Sequence, residues 1–260
     1  MNLVDNVTVR RAVDGFAAQP GQRGVLEVLR SCMYGELLFD ITGSDAPADA
    51  SFRAGSQLQI RGGTGPGGGR ALFAFTRQEE IARLYPPDIH IQSMVTPATG
   101  ALELARQQGD AWLYIDPAGP TCALSAAEID FALRNPNNEP LKSALAALHA
   151  GETNRRDVLQ VLLAEGPLLL AADETTVPGK ARVRTTALAD GSPALVGFTS
   201  APEIIAFNAS DAVFARTTLD VLEMVRADGY SGIVINPVGP SIVFSKAEIE
   251  IGSGSTGGGM

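Results

Sequence analysis

Histidine, cysteine and tryptophan are nearly missing from this chain. Its two histidines, His90 and His149, and two cysteines, Cys32 and Cys122, are too few and too scattered for a zinc site or a repeated nucleophile–histidine pair. No G-x-S-x-G elbow, P-loop or acidic metal triplet occurs. Basic residues are outnumbered, 20 Lys and Arg against 29 Asp and Glu, and they are interspersed, which counts against nucleic acid as a partner. The resulting charge of −9 serves solubility and, where it selects a partner, favours a basic protein. Long apolar runs are also missing: GPLLLAA (166–172), among the longest, is about seven residues, against roughly 20 for a bilayer span. The stretch MNLVDNVTVRR has no apolar region of the signal-peptide kind. A cytoplasmic protein without membrane contact is the expectation.

What is present is a core-forming composition, 45% apolar and 19% charged, in 260 residues, a length that suits two domains of about 125. The sequence repeats itself. GDAWLYIDPAGPTCALSAAEID (109–130) aligns without a gap with GYSGIVINPVGPSIVFSKAEIE (229–250), and the preceding ALELARQQG and VLEMVRADG keep the same spacing. RALFAFTRQEEI (70–81) matches PALVGFTSAPEI (193–204), and VLEVLRSCMYGELLFDI (25–41) matches VLQVLLAEGPLLLAADE (158–174). Four blocks in the same order indicate a duplication.

Each block must read as the same element twice. VLEVLRS and VLQVLLAEG have helical spacing, the second after a cap at Asn154 with Asp157 three residues on. GELLFDI and GPLLLAA read as strands, SQLQIRG and ARVRTTA as half-exposed strands, ALFAFT and ALVGFT as buried ones. Thr76-x-x-Glu79 and Ser200-x-x-Glu203 fit capping boxes, as do Ser125-x-x-Glu128 and Ser245-x-x-Glu248. ALELARQQG and VLEMVRADG are helices stopped at Gly109 and Gly229. The order α-β-β-β-α-α-β-β-α predicts an α+β fold: two copies of a mixed or antiparallel sheet covered by helices, related by a pseudo-twofold axis. Copy 1 is expected over 1–134, a linker over 135–140, copy 2 over 141–251 and a flexible Gly/Ser tail over 252–260.

Two features invite a functional reading. Six glycines in 62–69 suggest an anion cradle, yet no Lys follows, strands flank the loop, and copy 2 has ALADGSP there, so a hairpin is expected. The loops Asp116-Pro117-Ala118-Gly119-Pro120 and Asn236-Pro237-Val238-Gly239-Pro240 combine fixed φ at Pro with the freedom of Gly, which predicts a turn with Asp or Asn bonding the turn amides. A general base or metal ligand needs the carboxylate, so Asn236 counts against catalysis by this residue. Cys122 aligns with Ile242 and is read as core; Trp112 aligns with Gly232 and fills volume or meets a partner.

The order F-[TA]-F-T-x-x-E-E-I, a helix with L-E-L-A, and then G-x-x-x-[LI]-x-I-[DN]-P-x-G-P resembles the N-terminal domain of SseB-like bacterial proteins, named for enhanced serine sensitivity. The resemblance covers 70–133 and 193–251 well and the preceding stretches more loosely. It implies a small cytoplasmic α/β domain and brings no catalytic residues. The expected function is a non-enzymatic protein-binding or adaptor module without cofactor, monomeric or homodimeric, whose contact loops are Asp116–Pro120 and Asn236–Pro240 with Trp112. The alternative is a small-molecule-binding regulator or enzyme with a site in copy 1 or between the copies.

Overall fold

A computed structural model describes residues 4–45, 58–173 and 182–254. The chain divides into two compact units, Met1–Leu133 and Arg134–Met260.

Unit 1 begins with two helices, α1 (Val7–Ala18) and α2 (Gln22–Ser31), followed by β1 (Glu36–Asp40), β2 (Gly62–Thr64), β3 (Arg70–Ala74), α3 (Gln78–Ala82), β4 (Ser93–Pro97), α4 (Ala98–Gln108), β5 (Trp112–Ile115), β6 (Cys122–Ser125) and α5 (Ala126–Leu133). Strands β2-β3-β5-β6 form one sheet and β1-β4 a second; the pair Leu38–Phe75, bonded in both directions at 2.8 Å, stitches them together. Among the described strands of unit 1 only β3 and β5 run parallel.

Unit 2 repeats the plan with α6 (Glu139–His149), α7 (Arg155–Leu163), β7 (Pro167–Asp173), β8 (Arg182–Val183), β9 (Thr185–Ala187), β10 (Pro193–Phe198), α8 (Ala201–Phe207), β11 (Ala212–Thr217), α9 (Thr218–Ala227), β12 (Gly232–Ile235), β13 (Ile242–Ser245) and α10 (Lys246–Gly254). Its sheet has the order β11-β7-β10-β12-β13, with β8 on β7 and β9 on β10, and again one parallel pair, β10–β12. The Leu169–Phe198 pairing stands where Leu38–Phe75 stands in unit 1. The fold is α+β with a mixed sheet in each of two tandem copies.

Helices cover one sheet face because their apolar residues recur at three- and four-residue spacing: Val9, Ala12 and Val13 on α1, and Val221, Leu222 and Val225 on α9, are all buried. Side chains from the strands complete each core, among them Leu113, Ile115 and Leu124 in unit 1 and Ile233, Ile235 and Phe244 in unit 2. Burying each such side chain contributes about 1.5–3 kcal/mol. Gly109 at φ 68° and Gly229 at φ 77° end α4 and α9 in the left-handed conformation that their sequences predict.

Several elements differ from the sequence reading. Strands β4 and β11 have no forerunner in it; both are edge strands running straight into a helix, and β4 ends in Pro97, so neither shows alternation. The first helix of unit 1, α1, was likewise hidden; it corresponds to α6, with Asn6 and Asn138 each capping through Oδ1 and donating Nδ2 to the next strand's first carbonyl, that of Glu36 or Pro167. The second predicted strand of copy 1, SQLQIRG, is strand only from Gly62; residues 56 and 57 lie outside the described residues, as does Ala181 of ARVRTTA. The pairing of GELLFDI with GPLLLAA holds: Gly35 and Gly166 are equivalent, each giving its carbonyl to the first amide of the unit's fourth helix, that of Ala98 or Thr218, at 2.8 and 2.7 Å. The stretch 135–140 ends inside α6, with Asn138 as its cap. Gly252 and Ser253, assigned to a flexible tail, belong to α10, while 255–260 lie outside the described residues.

Candidate functional site

Parallel neighbours β3 and β5 end side by side, Ala74 opposite Ile115, as do β10 and β12, Gly197 opposite Ile235. The carboxyl ends of parallel strands are where open α/β sheets place ligands. The Pro-x-Gly-Pro loops leave the sheet at this point in both units.

Asp116 and Asn236 have φ 54° and 49°, and no other described non-glycine residue has positive φ. Asp and Asn are the types that visit this region most readily. The expectation that Gly119 and Gly239 supply the left-handed step is therefore corrected: neither has positive φ, and the residue before Pro does. Nor does the side chain bond the turn's amides. It reaches across to the adjacent strand end. Asp116 Oδ1 accepts from the Thr76 amide at 2.9 Å and Oδ2 from its hydroxyl at 2.7 Å. Asn236 Oδ1 accepts from the Thr199 amide at 3.0 Å, and Nδ2 donates to Thr199 Oγ1 at 2.9 Å. The turn itself closes through the Gly119 and Gly239 amides onto the carbonyls of Asp116 and Asn236. Both side chains are buried, 2% and 1% exposed. Burial pushes the Asp116 carboxyl up to about 6; the Thr76 bonds and Arg10 oppose the shift, and Glu80 adds to it.

A second buried acid occupies the same aligned position in each unit, Glu80 and Glu203. Glu80 on α3 accepts from Arg77 at 2.8 Å and has Arg83 Nη1 at 2.7 Å. Gly119 abuts this ion pair: a Cβ there would displace the flexible end of Arg83 and approach Glu80 Oε2. Glu203 on α8 meets Lys142 of α6 at 2.5 Å, with both groups nearly inaccessible. The same place on α1 holds Arg10, which pairs with Asp5 at the surface. The capping boxes expected at Thr76–Glu79 and Ser200–Glu203 do not form: α3 and α8 have no side-chain cap, Thr76 is engaged by Asp116, and Glu203 points at Lys142. The signal was in the aligned blocks, where Thr76 faces Thr199 and Glu80 faces Glu203 without a shift. The boxes at Ser125–Glu128 and Ser245–Glu248 do form.

Trp112 sits at the other end of β5 from the loop, so the two are not one site. It accounts for Gly65, while Phe73 and Ala111 account for Gly63 and Gly69. A Cβ at Gly65 would enter the indole, one at Gly63 would meet Phe73 Cζ at 2.6 Å, and one at Gly69 would meet Ala111 Cβ at 2.6 Å. The hairpin packs against Trp112, whose Nε1 donates to the Pro66 carbonyl at 3.3 Å. In unit 2 the sizes are exchanged, Leu188 for Gly65 and Gly232 for Trp112; Gly65 and Leu188 donate to the equivalent carbonyls of Gly69 and Ser192, both at 2.8 Å. Both cysteines are buried in the core of unit 1, and burial pushes the Cys122 thiol up to about 12, far from a reactive thiolate. Among the described residues no group of three or more His, Cys, Asp or Glu could hold a metal ion, and no helix is long and apolar enough to cross a membrane.

The arrangement at the strand ends occurs once per unit, and the family comparison divides the chain in the same way. The model of the SseB protein N-terminal domain matches residues 9–130 and again 141–250. The chain belongs to the SseB family. It carries two SseB domains in tandem, and the Thr–[Asp/Asn] bond ties the two strand ends together in each. Comparison with curated proteins and with solved structures returned no match.

Proposed function

We propose that this tandem SseB-domain protein is a non-enzymatic protein-binding module, an adaptor working in the cytoplasm. One observation carries the reading. In both units the polar side chain of the best-marked loop turns inward onto Thr76 or Thr199, while Ala118, Pro120 and Val238 face solvent, Val238 with 51% of its surface exposed. The loop thus offers shape, apolar groups and backbone, a means of recognising a protein surface that does not depend on Asp versus Asn. The acidic charge favours a basic partner.

Affinity capture with the tagged chain, run beside Ala118→Glu and Val238→Glu, tests this. A stoichiometric protein retained by wild type and lost from a loop variant is the expected result. Recovery of none, or of one indifferent to both variants, overturns it.

A small-molecule site in unit 1 is the second reading, favoured by the upward shift of Asp116 next to Glu80. A ligand from a thermal-shift screen that stabilises wild type but not Asp116→Asn would support it.

A further inference from the structure

Asp116 and Asn236 occupy equivalent places with equivalent backbone conformation and the same threonine partner, but the hydrogen between them runs in opposite directions. Thr76 donates its hydroxyl to Asp116, whereas Asn236 donates its amide to the hydroxyl of Thr199. A carboxyl group matches a carboxamide in this pattern only when it carries a proton on Oδ2. We propose that Asp116 is a proton-binding site of unit 1, at which uptake of one proton from solvent converts the loop lock into the form that unit 2 holds permanently through Asn236.

The step is simple. The proton arrives on Oδ2, the Oδ2–H then donates to Thr76 Oγ1, and the threonine hydrogen rotates away. Oδ1 keeps the Thr76 amide throughout. The surroundings leave the charged form poorly compensated. On α3, Glu80 faces the carboxylate with like charge, and its cations Arg77 and Arg83 are already held by it. From α1 only Arg10 acts favourably, and it is bonded to Asp5. Thr76 follows β3, whose one cation, Arg70, lies at the opposite end of the strand and pairs with Asp110. Burial agrees in direction, raising the group from 3.8 to about 6. A folded-state value above the unfolded one means that the stabilisation is complete below about pH 4 and is lost as pH rises through about 6. The effect passes to α3, because the loop's Gly119 abuts Arg83 and Glu80. Unit 2 has no equivalent response at its loop.

Peptide-resolved hydrogen exchange on the full chain between pH 4.5 and 8 reads this directly, after correction for intrinsic rates. The peptide containing the Thr76 amide should lose protection relative to that containing Thr199, by roughly tenfold to a hundredfold, with a midpoint near 6. Asp116→Asn should abolish the divergence. Asn236→Asp should install the same response in unit 2, and serves as the test if the first variant does not fold. A wild-type ratio that stays flat with pH overturns the proposal, as does a divergence that survives Asp116→Asn or an Asn236→Asp chain whose second unit stays indifferent to pH.

Discussion

Unit 1 and unit 2 fasten the same loop to the same strand end with different chemistry. Unit 1 uses a carboxylate at the loop, arginines around Glu80 and a tryptophan under a glycine hairpin. Unit 2 uses an amide, a buried lysine on Glu203 and, at the position of Trp112, Gly232, where a Cβ would run into the Phe244 carbonyl oxygen. The backbone hydrogen bonds persist through all three exchanges, Asp116 and Asn236 donating to Ala74 and Gly197 at 3.0 Å in each unit. Geometry is therefore the retained property and charge the adjustable one. A substitution should hurt in proportion to how deeply its unit has committed a charge or a volume at that place.

The largest difference is expected at the first helix of each unit. Lys142→Met strands Glu203 without its cation in a dry site and should cost about 3–5 kcal/mol. Arg10→Met removes only a half-exposed pair with Asp5 and should cost about 0–1 kcal/mol. Urea unfolding, with exchange used to assign each transition to a unit, separates them; equal losses would break the comparison.

Next comes the exchanged pair of volumes. Gly65→Leu drives a side chain into Trp112 and should destabilise unit 1 by about 1–3 kcal/mol. Adding Trp112→Gly recreates the Leu188/Gly232 combination, so the double variant should recover at least about 1 kcal/mol relative to additivity. Strict additivity would mean that the hairpin and the tryptophan are independent.

A smaller contrast lies in the threonines. Thr76→Val deletes a donor to a carboxylate and should cost about 1.5–3 kcal/mol near neutral pH, whereas Thr199→Val breaks a neutral bond worth about 0.5–1.5. The gap should close at pH 4.5, where Asp116 is protonated. Denaturation midpoints at the two pH values measure it.

The duplication, the fold class and the helix stops were readable because repetition gives each periodic segment a second witness: ALELARQQG and VLEMVRADG agree on a helix ending at glycine. The edge strands β4 and β11 were not, since a strand paired on one side and abutting a helix shows no alternation. At the site, the interchange of Asp116 and Asn236 correctly pointed away from a catalytic carboxylate, but the partner was assigned to the turn. The true partner, Thr76 or Thr199, lies about 40 residues earlier, just past the end of another strand, and the parallel registers of β3 with β5 and of β10 with β12 bring them together. The glycine hairpin was legible as a loop and not as a lid on Trp112, because that contact is tertiary.

The smallest effect should come from the last helix, where both units keep a capping box and only unit 2 adds a clamp. Arg155 reaches from α7 to Glu248 at 2.8 Å, bonds the Val243 carbonyl and lies 4.7 Å over the Phe244 ring. Its bond, with those from Ser245, holds the Glu248 carboxyl down from an ordinary 4.5 to about 2. A depressed value contributes stability above about pH 4.5 that is lost as pH falls through about 2. Both side chains are more than a third exposed, so solvent screening limits the pair to about 0–1 kcal/mol. Arg155→Gln should therefore barely move the unfolding midpoint at pH 7. It should instead raise the Glu248 titration, followed by carboxyl-carbon NMR, part of the way back towards 4.5, because the Ser245 amide and hydroxyl still donate to it. Full return to 4.5 would show that the box contributes nothing to the charge, and no movement would show that Arg155 is not a clamp in solution.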